Sequence, residues 1–222
     1  GKEVWFSEGS PPMGCAKSIS RYDGNGSGLG GLNGVLDVAN RIITMYPQGR
    51  MTLYEFQPVT ASYYDGVTYC HKQLITANTP WSGYYELEPG FFMTLHFSQF
   101  IKRGWTLIDE ACAGDGKAAG DGHALSDATY SYLTACNPET GDWSTVITNT
   151  TGAPIEYTLS LENTASPQKN VFLYETTGLR VDDCLKKSLL NVTDGKLTLV
   201  VKPSSMVTVS SLNISPAEDE KK

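Results

Sequence analysis

The apolar run Val4–Phe6 leads directly into Glu8 and, a few residues later, into the pair Pro11 and Pro12. A continuous run of β-branched and aromatic residues is typical of a parallel strand covered on both faces, and the two prolines prevent the strand from continuing. The pattern therefore predicts a short buried strand with Glu8 at its carboxyl end. In barrels of parallel strands these ends form the catalytic face. Glu8 is a candidate catalytic carboxylate, and a solvated carboxylate at a strand end is the alternative.

A helix and a second strand are predicted downstream. Apolar residues recur at three- and four-residue steps over residues 31–46, which predicts an amphipathic helix that ends before Pro47, with Asn40 and Arg41 on its solvent face. Met51–Phe56 has the composition of a strand. Strand, helix and strand in this order predict parallel pairing with a right-handed crossover.

Two loops and a further helix are predicted around this unit. Residues 13–30 are rich in glycine and serine, which predicts a long loop over the catalytic face, and residues 59–90 form a loop region rich in tyrosine and tryptophan. Phe91–Phe100 has the composition of a helix, with Lys102 and Arg103 near its end and Gly104 as its expected C′ residue.

Beyond Trp105 the sequence changes to short β-rich runs separated by turns, several of which alternate apolar and polar residues. Such runs predict an antiparallel sandwich. We therefore predict two domains, residues 1–104 and 105–213, followed by a disordered charged tail at 214–222. The predicted strands of the second domain are Thr106–Ile108, Tyr130–Ala135, Ser144–Thr148, Ile155–Leu161, Val171–Glu175, Lys196–Val201 and Met206–Ser211.

Charge and hydropathy exclude some partners. The net charge is −7 and the sequence pI is about 5.0. Because this composition supplies no basic patch to neutralise phosphates, neither nucleic acid nor an anionic membrane is expected as a partner. The sequence has no apolar run of about 18 residues, so no transmembrane segment is expected. The charged opening of the chain predicts no signal peptide and a start that is not the natural one.

The cysteines and the glycosylation motifs favour a secretory compartment. Neither a Cys-x-x-Cys nor a Cys/His metal spacing occurs among the five cysteines, so no metal site is expected. Asn-x-Ser/Thr motifs in turn-like contexts predict exposed glycosylation sites. Oxidising conditions would allow one or two disulfides, and Cys112 with Cys136 is the first predicted pair because these cysteines flank one hairpin-like region. The four predicted acceptors are Asn25, Asn149, Asn191 and Asn213.

Four segments together carry a resemblance to a known family. The strand that ends at Glu8 resembles the nucleophile strand of the galactocerebrosidase family, glycoside hydrolase family 59. Three later segments resemble that family in the same order, and the similarity extends from residue 2 to about residue 108. These segments are Ala61–Asp65 with Tyr69, Leu74–Ala77 with Pro80–Tyr85, and His96–Phe100 with Gly104 and Trp105.

The resemblance implies a fold class and a set of site residues. It implies the last two βα units of a (β/α)8 TIM barrel, an α/β fold, followed by an all-β antiparallel sandwich. In the family Glu8 is the nucleophile of a retaining glycosidase, and Tyr69 and Trp81 lie near the substrate mouth. Gln57 takes a position where the family usually has tryptophan, so hydrogen bonding replaces stacking there. Glu55 is expected to be a structural carboxylate within the barrel.

The same resemblance implies the reaction and the partners. We expect the C-terminal part of a retaining hydrolase of β-glycosides, with β-galactosides as the expected substrates and a glycolipid as one candidate, in the manner of a galactosylceramidase. No cofactor is expected. The family's acid/base glutamate lies upstream of this sequence, so the chain is expected to need a missing N-terminal part of the barrel and to be inactive by itself. The expected location is extracellular or the lysosomal or vacuolar lumen, consistent with sphingolipid metabolism.

Two alternatives remain open. A carbohydrate-binding or adhesion module would use the sandwich and the aromatic loops, with Glu8 incidental. A non-catalytic homologue is the other, and Gln57 lends it weight. His71 and His96 are expected to be packed histidines rather than ligands.

Overall fold

A computed structural model of the chain describes residues 2–9, 32–56, 58–61, 73–77, 82–114, 130–162, 164, 170–178 and 183–214. The predicted loop at 13–30, residues 215–222 of the predicted tail and parts of the predicted aromatic loop at 59–90 lie outside these residues.

The first part of the chain forms the predicted strand-helix-strand unit. Strand β1 (Val4–Gly9) is followed by helix α1 (Leu32–Gly49) and strand β2 (Met51–Phe56), and β1 pairs with β2 in parallel. The predicted burial of β1 is not observed, because Val4 and Trp5 are 45% and 59% exposed. Among the described strands β1 pairs with β2 alone, so its other edge and part of its surface are uncovered.

Helix α1 ends three residues later than the sequence predicted. Pro47 lies inside the last turn, and the backbone leaves the helix at Arg50, whose φ is 49°. A left-handed residue just beyond a helix is usually glycine, and here an arginine takes that conformation. The Arg50 guanidinium forms an exposed ion pair with Asp109 at 2.8 Å.

One prediction for α1 is wrong. Asn40 was expected on the solvent face, but it is only 3% exposed, and its side-chain oxygen accepts a hydrogen bond from the Thr148 hydroxyl. The reason is that α1 is covered on more than one side, because the large sheet of the second half of the chain packs against it. A polar residue on the helix surface is therefore buried and satisfied by a polar residue of the sheet.

A small sheet and a second helix follow. Strands β3 (Thr60–Ala61) and β4 (Ile75–Thr76) are parallel, and β5 (Glu86–Leu87) is antiparallel to β4. Helix α2 spans Pro89–Ser98, and its C-cap residue is Gln99. Gly104 is therefore not the C′ residue of α2. It has φ 87° in a separate turn in which the Trp105 amide donates to the Lys102 carbonyl at 3.0 Å.

The rest of the described chain is antiparallel β-structure. Strands β6–β9, β11, β12 and β14 form a seven-stranded sheet with the path β12-β11-β14-β9-β8-β6, and β7 also pairs with β8, while β10 and β13 form a two-stranded sheet. A short 3-10 helix at Asp109–Ala111 lies between β6 and β7. The strands are β6 (Thr106–Leu107), β7 (Ala113–Gly114), β8 (Ser131–Cys136), β9 (Trp143–Asn149), β10 (Ile155–Ser160), β11 (Asn170–Thr176), β12 (Lys186–Asn191), β13 (Lys196–Val201) and β14 (Ser205–Ser210).

The seven-stranded sheet has a different apolar layer on each face. On one face, Leu133, Val146 and Met206 pack with the helices, so this core crosses the predicted domain boundary at residue 104. On the other face, Ile147, Val207 and Val209 pack against the two-stranded sheet. The helix-side core comprises Val35, Leu36, Val38, Ala39, Ile42, Ile43, Leu74, Met93, Leu133, Val146 and Met206.

The predicted disulfide between Cys112 and Cys136 does not form. Both are free thiols. The register of β7 on β8 explains why the predicted disulfide is absent. Ala113 lies opposite Tyr132 on β8, which is four residues from Cys136. At about 3.3 Å per residue, the Cys112 and Cys136 Cα atoms are too far apart for a disulfide, which needs at most about 7 Å.

Candidate functional site

Glu8 is the penultimate residue of β1, at the carboxyl end of the parallel pair. The ladder is irregular at this point. Phe6 pairs with Tyr54 and Gly9 pairs with Phe56, so three steps along β1 match two steps along β2. Ser7 and Glu8 therefore occupy a β-bulge, a feature that occurs often beside active sites.

Glu55 lies on β2 beside this bulge, between the paired residues Tyr54 and Phe56. It is one residue before the end of its strand and is exposed among the described residues. The described part of the chain therefore has two glutamates at the carboxyl ends of adjacent parallel strands.

An aromatic stack lies immediately before the bulge. The rings of Phe6 and Tyr54 are 5.0 Å apart between centroids and nearly parallel, at 14°. Tyr54 also packs against the helix-side core, and burial raises its pKa to about 12, an effect that the nearby charge of Arg41 opposes. The phenol therefore stays protonated at any physiological pH. Sequence patterns alone did not reveal this pair, because nothing in either strand specifies the register that brings the rings together.

A partly buried ion pair on α1 lies near Tyr54. The Arg41 guanidinium contacts the Asp37 carboxylate at 2.8 Å, one helical turn away, and the Asp37 side chain is largely buried. Burial raises the pKa of Asp37, and the charge and hydrogen bond of Arg41 oppose that rise. The charges of Arg41 and Asp37 both influence the pKa of Tyr54, so the ion pair on α1 lies close to Tyr54.

A second buried polar group, missed by the sequence analysis, lies at the start of α2. Glu88 is 2% exposed and accepts a hydrogen bond from the Thr76 hydroxyl, which in turn accepts one from the Gln73 amide at 2.7 Å. A carboxylate at a helix N-terminus is favoured by the helix dipole. The available signal was a glutamate placed just before Pro89, the first residue of the helix. The network joins α2 to β4 and has no described contact with Glu8.

Three predicted substrate-binding residues, Gln57, Tyr69 and Trp81, lie outside the described residues, as does His71. His96 is described, and the prediction of a packed histidine is confirmed. Its side chain is fully buried, and both ring nitrogens contact threonine hydroxyls of the large sheet.

The predicted glycosylation sites differ in exposure. Asn149 was expected in an exposed turn, and that expectation is wrong. It is fully buried, and its amide nitrogen donates to the carbonyls of Ala153 at 2.8 Å and Val201 at 3.0 Å. The asparagine ends a core strand, and its side chain closes the turn that follows. Asn191 and Asn213 are exposed, and Asn25 lies outside the described residues.

No group of three or more His, Cys, Asp or Glu side chains within the described ranges could hold a metal ion. None of the described helices is long and apolar enough to cross a membrane.

Solved structures with the same arrangement are glycoside hydrolases. The catalytic domain of the family 30 xylanase C from Talaromyces cellulolyticus matches 94% of this chain and 40% of its own, with a TM-score of 0.63 and 15% identity. An arabinose-bound family 51 α-L-arabinofuranosidase matches 91% of this chain and 31% of its own, with a TM-score of 0.60 and 14% identity. At these identities the likeness is one of fold.

Sequence comparisons relate the first part of the chain to one family. Residues 1–99 match the model described as Glycosyl hydrolase family 59. Galactocerebrosidase from Danio rerio is 42% identical over 63 residues, and that from Salmo salar is 32% identical over 92 residues. The first 99 residues of the chain are thus similar to glycosyl hydrolase family 59 and to the galactocerebrosidases.

The alignments with these relatives are short. They cover 28% and 41% of this chain, and 10% and 12% of the Danio rerio and Salmo salar proteins. The chain thus matches about a tenth of the length of these curated relatives.

Proposed function

We propose that this chain is the C-terminal part of a retaining β-glycosidase that acts on β-galactosides in the manner of a galactosylceramidase, with Glu8 as the nucleophile. The position of Glu8 supports the proposal more than any other observation. It lies in a bulge at the carboxyl end of a parallel strand, the end at which barrel glycosidases carry out their chemistry. The match of residues 1–99 to glycosyl hydrolase family 59 supports a catalytic role for a glutamate at that position.

The proposed mechanism is double displacement. The Glu8 carboxylate attacks the anomeric carbon and forms a covalent glycosyl-enzyme, while an acid protonates the leaving oxygen. Water then releases the sugar with retained configuration, and the acid acts as the base in that step. The two carboxyl groups must lie about 5 to 5.5 Å apart. In this proposal the second carboxyl comes from another strand of the barrel, upstream in the whole enzyme, and Glu55 does not supply it.

The surface of β1 supports the need for further strands. Val4 and Trp5 are exposed, and on its other edge β1 pairs with no described strand. Paired edges and covered apolar faces are the rule in stable sheets. We therefore propose that residues 1–104 form the last two βα units of a barrel completed by an N-terminal part. The chain by itself should not hydrolyse an aryl β-galactoside.

The proposed compartment is the secretory pathway or an acidic lumen. Asn191 and Asn213 are exposed acceptors that support this location, and Asn25 is a further candidate. Within the proposal the substrate is a β-galactoside, with a glycolipid as the candidate natural form, and Gln57, Tyr69 and Trp81 line the substrate mouth.

Trapping of the covalent intermediate tests the proposal. The whole enzyme that carries this chain is treated with a 2-deoxy-2-fluoro-β-galactosyl donor, digested with protease and examined by mass spectrometry. The label should be on Glu8. Glu8→Gln should abolish turnover, while the matched variant Glu55→Gln should retain it. A label on Glu55, or full activity of Glu8→Gln, would refute the assignment. If Glu8→Gln binds glycan as tightly as the unmodified protein, and the unmodified protein hydrolyses no substrate, a binding module would be favoured.

A further inference from the structure

Two opposite irregularities flank a short block of the β1–β2 ladder. Val4 pairs with Met51 and Trp5 with Leu53, so β2 has one extra residue there, Thr52. After Phe6 the extra residue is on β1, at the bulge that contains Glu8. Between these irregularities lie two consecutive pairs, Trp5 with Leu53 and Phe6 with Tyr54. These two pairs determine the register with which the strand enters the bulge.

The two pairs do not contribute equally to holding the register of β1 on β2. Trp5 is 59% exposed, so its pair buries little area. Phe6 and Tyr54 stack face to face at 5.0 Å, and Tyr54 packs against the helix-side core. Cross-strand aromatic pairs on one face of a sheet stabilise the register in which they meet. In this block, the stacked pair is therefore the main side-chain interaction that opposes sliding of β1 along β2.

A slip of β1 along β2 would strongly change the orientation of a residue at the bulge. A slip of one residue exchanges the faces of a strand, so every side chain that pointed one way then points the other. A bulge leaves its extra residue unpaired, so the ladder itself restrains Glu8 less than a regular residue. The restraint must come from the pairs on either side, and Gly9, on the far side, has no side chain to contribute.

We propose that Phe6 and Tyr54 are positioning residues that hold β1 in the register required for Glu8 to react. This inference rests on the proposed role of Glu8 as nucleophile. The rings do not touch the substrate, and their effect on the reaction passes through the backbone at Ser7 and Glu8. The phenol oxygen of Tyr54 is not required, because the stack needs the ring alone.

Ring-removing and ring-retaining variants of the whole enzyme separate the effect of the aromatic stack from that of the Tyr54 hydroxyl. Phe6→Leu and Tyr54→Leu should each lower kcat by between about tenfold and a hundredfold, since a misplacement of about 1 Å can cost about 10²-fold. KM should stay within about twofold, because the sugar-binding loops are untouched. Tyr54→Phe should keep nearly full kcat. The double variant Phe6→Leu with Tyr54→Leu should be no worse than the poorer single variant, because either change removes the same stack.

Phe100→Leu is the matched control. Phe100 lies two residues beyond α2 and is 2% exposed, and its ring contacts that of Tyr174 on β11 with centroids 4.5 Å apart and planes tilted by 52°. Its replacement should lower the Tm at least as much as Phe6→Leu and leave kcat nearly unchanged below that Tm. If a leucine variant does not fold, Phe6→Met gives the same comparison, because it keeps the volume and loses the planar face.

The outcomes distinguish this inference from the proposed function. Equal kcat for Tyr54→Leu and Phe100→Leu, with Glu8→Gln inactive, would overturn the positioning role and leave the nucleophile in place. Full activity of Glu8→Gln would refute both. A loss of kcat in Tyr54→Phe as large as in Tyr54→Leu would also overturn the inference, because it would assign the effect to the hydroxyl.

Discussion

The Nε2 atom of His96 lies 2.7 Å from the hydroxyl oxygen of Thr176, and its Nδ1 lies 2.8 Å from the hydroxyl of Thr208. The imidazole thus joins helix α2 to two strands of the large sheet. It is fully buried, and burial lowers its pKa from 6.5 to about 3. Between threonine hydroxyls a neutral imidazole is satisfied by one donor and one acceptor, whereas an imidazolium would have two donors and a buried charge.

The chain should therefore lose stability in acid because of His96. In the unfolded chain the imidazole gains a proton near pH 6.5, while in the folded chain it stays neutral down to about pH 3. Over that window the unfolded state binds more protons, so the free energy of unfolding decreases as the pH falls. The decrease approaches about 1.4 kcal/mol per pH unit from this residue. Urea denaturation at pH 7.0, 6.0, 5.0 and 4.0 measures it.

The control for this prediction is His96→Gln, which keeps a donor and an acceptor but cannot be protonated. It should be less stable than the wild type at pH 7 and should show a flatter dependence on pH below 6.5. An equal slope for the two proteins would contradict the assignment to His96.

The hydrogen bond from Thr148 to Asn40 should contribute to the packing of α1 on the large sheet. Both residues are buried, so Asn40→Ala leaves a hydroxyl without that acceptor and should cost about 1–3 kcal/mol of stability. A double-mutant cycle with Thr148→Val should give a coupling energy of about 1 kcal/mol. The exposed hydroxyl pair Thr158 and Thr198, 3.1 Å apart, is the control, and Thr158→Val should change stability by less than about 0.5 kcal/mol.

Asn149 should not carry a glycan in the folded protein. Its amide nitrogen donates two hydrogen bonds, and its side-chain oxygen accepts from the Thr151 amide at 2.9 Å, so a sugar on the nitrogen would remove buried bonds. Asn191, which is exposed, is the matched site and should be glycosylated in a secretory host. Mass spectrometry of peptides before and after glycosidase treatment distinguishes the two. Quantitative glycosylation of Asn149 in monomeric folded protein would contradict the prediction.

The thiol of Cys112 should be free but slow to react. Burial raises its pKa, and its sulfur contacts the backbone of Thr134 on β8, accepting from the amide at 3.3 Å. Because the thiolate is the reactive form, iodoacetamide at pH 7.5 should label Cys112 slowly in the native protein and quickly after denaturation without reductant. Recovery of unlabelled Cys112 in the denatured, unreduced sample would mean that it is in a disulfide.

Sequence patterns predicted the parallel unit and most of the antiparallel strands for a local reason. An apolar run, the helical repeat of 3.6 residues and the two-residue alternation of a strand can each be read from residues that are close together in the sequence. In Lys196–Val201, exposed and buried residues alternate strictly, and the strand has the predicted bounds. The edge strand Lys186–Asn191 was missed because five of its six residues are exposed and it carries no alternation.

The sequence by itself determined which residues can form strands and helices, and it placed Glu8 at a strand end in a segment that matches glycosyl hydrolase family 59. The tertiary structure decided which of those surfaces meet. It buried Asn40 and Asn149, kept Cys112 from Cys136, and stacked Phe6 on Tyr54 beside a bulge. These outcomes depend on strand register and on what packs over each face, and both are set by contacts between residues that are distant in the chain.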